Sequence, residues 1–255
     1  MKILGLDFET TGLDTATCDV VEVCAVLVDD ATVDKAGRQM QMVEKLSELV
    51  YSAHYKPLPP EITELTGITD KELMARGIAE EMALQRLLGL MAEAQLVVCH
   101  NVGFDKKVLY AWAKRLGKEV PERQWLCTLT EVPYEKKYKC RKLSHLALDH
   151  GITVHGDDLH RADYDVHLML GVLLWFYDLP KVLAYAREPW VYLQARIPKP
   201  WDDGGAGKEQ AKKLGFSWEK IHGDERVFEK LWVKRVKASE IEVIKTQAPF
   251  PVKEL

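Results

Sequence analysis

Residues 3–9, ILGLDFE, are an apolar run that closes on two acids one residue apart, and an extended strand is the element that accommodates it. Successive side chains of a strand alternate between faces, so Asp7 and Glu9 share one face while Phe8 points to the other. Two ionised carboxylates that close repel each other and resist burial, and a shared proton or a cation makes them tolerable. The plain alternative is a solvated edge strand whose charges deter aggregation. A bare D-x-E does not decide between the two.

The rest of the chain shows what this strand belongs to. VVEVCAVLVDD (20–30) and KLSELVYS (45–52) read as two further strands, giving an opening meander of three. Residues 55–77 carry Pro and Gly punctuation with short helical pieces, and EEMALQRLLGLMAEA (80–94) repeats its apolar residues at helical spacing. LVVC (96–99) and QWLCTL (124–129) resume the sheet on either side of the amphipathic DKKVLYAWAKRLG (105–117), which stops at Gly117. KLSHLALDHG (142–151) and ADYDVHLMLGVLLWFYDL (162–179) are two more helices. Strands first, then strands alternating with helices, predict an α/β fold whose mixed five-stranded sheet is covered by helices on both faces. After Asp178 the pattern breaks at LP, EPW and IPKPWDDGGAG. The expected organisation is therefore a domain over 1–180, a linker over 181–206 and a small basic α+β module over 207–255.

Composition limits the function classes. At 255 residues, 47% hydrophobic and 29% charged, the chain is ordinary for a folded soluble protein. No run approaches the roughly 18 apolar residues of a membrane span, and MKILGLDF is too short for a signal peptide, so a cytoplasmic protein without membrane partners is expected. The five cysteines show no C-x-x-C pair and sit mostly in apolar contexts, as reduced thiols do. The net charge is −4, yet residues 196–255 hold 13 Lys and Arg against 10 Asp and Glu, so the acidity lies in the first part of the chain. An acidic body that handles a polyanion needs cations to mask its carboxylates.

Two later acids fall where such masking would act. Asp105 follows the strand LVVC through HNVGF, and Asp165 lies near the start of the last apolar helix. A first helical turn favours anions through the helix dipole and its free N–H groups. His160 and Asp165 are five residues apart, too far round to share a helical face at about 3.6 residues per turn. For both to address one site, His160 must lie on the loop before a helix that begins near Ala162. Imidazole titrates near neutrality and can accept a proton from water, although a surface histidine in a polar loop reads equally well from this segment alone.

DFETTG (7–12), HNVGFD (100–105) and HRADYD (160–165) together resemble the three motifs of the DEDD superfamily of exonucleases, in its His-bearing branch. The resemblance covers about residues 1–178 and includes LPPEITELTGIT (58–69), which is similar to the corresponding segment of proofreading epsilon subunits and of exonuclease X. It implies a ribonuclease H-like fold and a 3′→5′ exonuclease releasing 5′-mononucleotides. It further implies two Mg²⁺ or Mn²⁺ ions held by Asp7, Glu9, Asp105 and Asp165, with His160 taking the proton of water. Thr10, Thr11, Gly12 and Leu13 match residues that hold the terminal nucleotide through backbone N–H groups and an apolar wedge, and Asn101 matches a contact near the scissile phosphate. Single-stranded DNA 3′ ends are the expected partner, with a replication or repair partner unidentified. RNA, as in ribonuclease T-like relatives, is the alternative substrate, and a non-catalytic scaffold the alternative class; the intact acids argue against the latter.

Other features carry less. His145, His150, His155 and His160 recur every five residues, which aligns no helical face, and only His160 is given a role. His100 reads as a structural histidine. GGAGKE (204–209) lacks the Ser or Thr and the glycine spacing of a phosphate loop and reads as linker. LGVLLWFY reads as core. The tail GKEQAKKLGFSWEKIHGDERVFEKLWVKRVK resembles a small module appended to assorted DNA-metabolism and mobile-element proteins. Trp218 and Trp232 are expected to form its core, with base stacking as the alternative, and Lys212, Lys213, Lys234 and Arg235 are candidate phosphate contacts.

Overall fold

A computed structural model describes residues 1–255 except 53, 55, 136, 156–159, 199–203 and 220–229. The chain divides into two compact units, Met1–Leu183 and Ala184–Leu255.

The first unit is built on a mixed sheet in the order β4-β3-β2-β1-β5-β6. β1 (Lys2–Thr10), β2 (Val20–Asp29) and β3 (Met42–Tyr51) form the antiparallel meander, and β5 (Leu96–Cys99) and β6 (Gln124–Cys127) add to β1 in parallel. The sheet has six strands where five were expected, because Ile78–Ala79 (β4) pairs with the end of β3. Two residues leave no periodicity to read. Between β3 and β4 lie α1 (Pro60–Thr66), ended by Gly67 at φ +71°, and α2 (Asp70–Arg76), opened by a Thr69/Glu72 capping box. Next come α3 (Glu80–Glu93) and, between β5 and β6, α4 (Val102–Arg115), followed by α5 (Leu143–Asp149), α6 (Ala162–Phe176) and α7 (Leu179–Arg187).

Alternation along β1 sorts the helices. Leu4, Leu6 and Phe8 pack with Leu84 and Leu87 of α3 and with Trp112 of α4, whose ring meets Phe8 edge-on. The opposite face belongs to α6. A Cβ on Gly5 would stand 2.8 Å from Leu170 Cδ1 and 3.0 Å from Val166 Cγ1, so the bare glycine is what lets α6 lie close to β1. Asp7 and Glu9 follow Gly5 on that same face. No single helix among the described residues is long and apolar enough to cross a membrane.

The second unit holds a four-stranded antiparallel sheet in the order β10-β7-β9-β8: β7 (Trp190–Ala195), β8 (Ser217–Glu219), β9 (Leu231–Lys237) and β10 (Val252–Glu254). With it run α8 (Ala206–Lys213) and α9 (Ile241–Gln247). Residues 181–206, read as linker, therefore contain most of α7 and all of β7. Pro180 falls in the first turn of α7, where its missing N–H costs nothing, so a helix start passes for a break. GGAGKE supplies the turn and first helical residues of α8.

The core of this unit is Leu193, Ala195, Ala211, Phe216, Val236, Ile241, Ile244 and Phe250. Trp232 only flanks it and Trp218 is 52% exposed, which corrects the expectation of a tryptophan core. Of the candidate phosphate contacts, Lys234 donates to the Leu214 carbonyl and Arg235 stacks on Trp190. Lys237 is buried, its ammonium donating to the carbonyls of Ala186 and Glu188 and lying 4.4 Å from the Trp190 ring centre.

Candidate active site

Because β1 and β5 run parallel, their C-terminal ends open at one edge of the sheet, the usual place for a ligand in such folds. Asp7 and Glu9 occupy the last part of β1. Asp105 sits in the first turn of α4 just beyond β5, 3% exposed. Asp165 comes from the first turn of α6, which begins at Ala162 as the spacing to His160 requires. Carboxylate oxygens of Asp7, Glu9 and Asp165 all lie within 4.8 Å of one another. Asp105 stands outside that set but lines the same cavity of about 440 Å³ as Asp7, Asp165, His160 and Asn101.

His160 is held in an uncommon backbone conformation, φ +60°, immediately before α6. Arg161 next to it forms a forked pair with Glu22, Nη2 to Oε1 at 2.7 Å and Nε to Oε1 at 3.1 Å. Glu22 Oε2 also accepts the N–H of Ala162 at 2.9 Å and so caps α6 from β2. Glu22, 3% exposed, lies opposite Glu9 in the β1–β2 register. Sequence reasoning missed this pair. The signal was there: a lone acid inside the Val-rich VVEVCAV implies a buried partner.

The acids share too little positive charge. Burial, followed by the charges of Asp165, Glu22 and Asp105, pushes Glu9 up to about 8, with Arg161 opposing. Burial raises Asp105 to about 7 against hydrogen bonds from its own N–H and that of Phe8. Burial and Glu22 raise Asp165 to about 6, against a hydrogen bond from the backbone N–H of His160. Asp7 is raised well above the carboxylate range, first by burial and then by Asp105, Glu9 and Asp165. Crowded oxygen donors with raised proton affinity are what a hard divalent cation relieves.

The other expected residues divide. Thr10 Oγ1 donates to the Gly12 carbonyl, and the Thr11 N–H donates to the Asp19 carbonyl, so that amide is already engaged. Leu13 projects into solvent, 89% exposed. His100 is braced at both ring nitrogens, by Thr128 Oγ1 at 2.9 Å and the Arg141 carbonyl at 2.8 Å, while its side chain forms part of the cavity wall. His150 is held by the Leu146 carbonyl and the Tyr177 hydroxyl. His145, given no role from sequence, lines the cavity with Lys142 and Ser144 at the start of α5.

A six-stranded mixed sheet between helices, with carboxylates converging at one strand edge, defines a ribonuclease H-like protein with an acidic centre. The model of the RNase T exonuclease family matches residues 4–173, and the chain belongs to that family, in its DEDD group. Among relatives, the epsilon subunit of DNA polymerase III from Aquifex aeolicus is 30% identical over 181 residues, covering 67% of this chain and 81% of that protein. The PolC-type DNA polymerase III of Thermotoga petrophila is 28% identical over 182 residues, 71% of this chain but 12% of the polymerase. The chain thus spans a small part of that relative's length. Escherichia coli exonuclease I, solved in a zinc-bound complex with single-stranded DNA, has the same fold at TM-score 0.62 and 15% identity, covering 99% of this chain and 64% of that one.

Proposed function

We propose that this chain hydrolyses the terminal phosphodiester bond at the 3′ end of single-stranded DNA and releases 5′-mononucleotides. The observation that carries the reading is the meeting of Asp7, Glu9 and Asp165 within 4.8 Å, beside a cavity that Asp105 and His160 line. Asp7, Glu9, Asp105 and Asp165 would hold two divalent cations, Mg²⁺ or Mn²⁺, which when bound activate water and offset charge on the phosphoryl oxygens. The all-oxygen donor set fits hard cations. His160 accepts the proton of the attacking water at an imidazole nitrogen. Asn101 contacts the scissile phosphate, and the turn from Thr10 to Leu13 seats the terminal nucleotide, with Leu13 as the wedge and backbone contacts from neighbours of the engaged Thr11 amide.

Support for DNA comes from the relatives, two of which are named as components of DNA polymerase III, and from the single-stranded DNA in the exonuclease I complex. A replication or repair partner and a cytoplasmic setting belong to the same reading. The test is a panel of 3′- and 5′-labelled single-stranded DNA, duplex DNA and RNA, each with Mg²⁺, Mn²⁺ or chelator. Mononucleotide release from the 3′ end of single-stranded DNA, abolished by chelator, is expected. Endonucleolytic fragments, release from the 5′ end, or turnover in chelator overturn it, and faster turnover of RNA overturns the choice of substrate.

A further inference from the structure

The C-terminal unit has a groove of about 630 Å³ that its fold does not use. Trp218 on edge strand β8 and Trp232 on β9 are direct cross-strand partners, and their rings stand 5.7 Å apart at 47°, splayed rather than stacked on each other. Phe216, 3% exposed, borders them on the core side. Lys208 and Lys212 of α8 line the flank, four residues apart and so on one helical face about 6 Å along its axis. Among the described residues, Glu209 pairs with Lys212 at 3.0 Å and Glu219 accepts from Ser217 Oγ at 2.7 Å.

A large aromatic surface left half in water beside the ammonium groups of Lys208 and Lys212, the latter shared with Glu209, is the pairing that takes an unpaired base on its ring and an adjoining phosphate on its cations. We propose that this groove is a second binding site, for single-stranded nucleic acid, separate from the carboxylate centre. Duplex does not satisfy it, because paired bases offer no free face to Trp218. A proline-rich peptide would use the aromatic walls but gains nothing from the two lysines. Charge decides between them: residues 196–255 are the basic part of an otherwise acidic chain. This site stands whether or not the carboxylate centre hydrolyses DNA.

The experiment uses the full chain. Binding of a labelled oligothymidylate is followed by anisotropy in chelator across about 50 to 200 mM salt. Hydrolysis of the p-nitrophenyl ester of thymidine 5′-phosphate, a single nucleotide with no adjoining strand, is followed separately with Mg²⁺ or Mn²⁺. Trp218→Ala is expected to weaken oligonucleotide binding about tenfold, a typical effect of losing one stacked base, and Trp218→Phe to stay within about twofold of the parent. The double charge reversal Lys208→Glu with Lys212→Glu weakens binding and flattens its salt dependence, and ester hydrolysis is unchanged in every variant. Parent-like binding by Trp218→Ala and by the charge reversal overturns the proposal. So does a proline-rich peptide that binds through Trp218 while the oligonucleotide does not. Failure of ester hydrolysis in the parent, with groove binding intact, counts against the hydrolytic reading alone.

Discussion

His160 holds a positive φ that costs a non-glycine residue about 1–3 kcal/mol, and its surroundings fix it there. Its own N–H is engaged by Asp165, and the next residue is clamped by Glu22. The backbone of His160 is thus fixed at the cavity wall before α6 begins. In the proposed reaction, replacing it takes away the group that accepts the water's proton and leaves the acids in place. For His160→Ala we expect turnover to fall by about 10²- to 10⁴-fold, with calorimetric Mn²⁺ binding close to the parent's. A parent pH–rate profile that is flat between about pH 6 and 9 rejects the proton-acceptor role. At this scale the sequence singled out Asp7, Glu9 and Asp165, whose carboxylates meet within 4.8 Å, and Asp105 and His160, which line the adjoining cavity; their roles rest on the proposed function. Glu22 was legible only as an acid in an apolar strand that needs a partner; that the partner is Arg161 was not, because the pairing is set by how the start of α6 meets β2, which one strand's pattern does not encode.

Gly5 shows how an element positions a residue two steps away. Asp165 reaches Asp7 and Glu9 because α6 rests directly on β1, and it does so over a residue with no Cβ. In Gly5→Ala the added methyl meets Leu170 at 2.8 Å, so the Leu170 side chain or α6 itself gives way, and we expect the helix to move outward. Overpacking of this kind costs about 1–3 kcal/mol. We expect a lowered melting temperature together with weaker Mn²⁺ binding, since the shift separates Asp165 from the β1 acids. Loss of stability with metal affinity intact would show that α6 absorbs the methyl without moving its first turn. The strands and long helices of the first unit were readable from period-2 and period-3.6 patterns. α7 and β7 were hidden by Pro180 and Pro189, each a residue that also opens elements, and Trp218 was misjudged because a three-residue edge strand has no buried face.

For the whole molecule, the acidic centre makes stability depend on pH in an unusual direction. Carboxylates are more often depressed on folding, but Glu9, Asp105 and Asp165 are raised to about 8, 7 and 6. Below the unfolded carboxylate range, near 4, both states hold these protons and the centre carries no penalty. As pH rises through 6 to 8 the folded state must give them up or keep them while the unfolded state ionises freely, so stability is lost. The metal-free protein is therefore expected to melt at progressively lower temperature from about pH 5.5 to 8.5, and Mg²⁺ or Mn²⁺ to restore more stability the higher the pH. A metal-free melting temperature that rises over this interval contradicts the raised proton affinities.

The Glu22–Arg161 clasp joins residues 139 apart in sequence. A ribosome releases the first acids long before it makes Arg161 and Asp165, so the β1–β3 meander is synthesised with Asp7, Glu9 and Glu22 but without the arginine that Glu22 pairs with. The centre is consequently a late product of synthesis. A chain halted before Arg161 has the acids of β1 and β2 but neither the clasp nor Asp165 to complete the cluster.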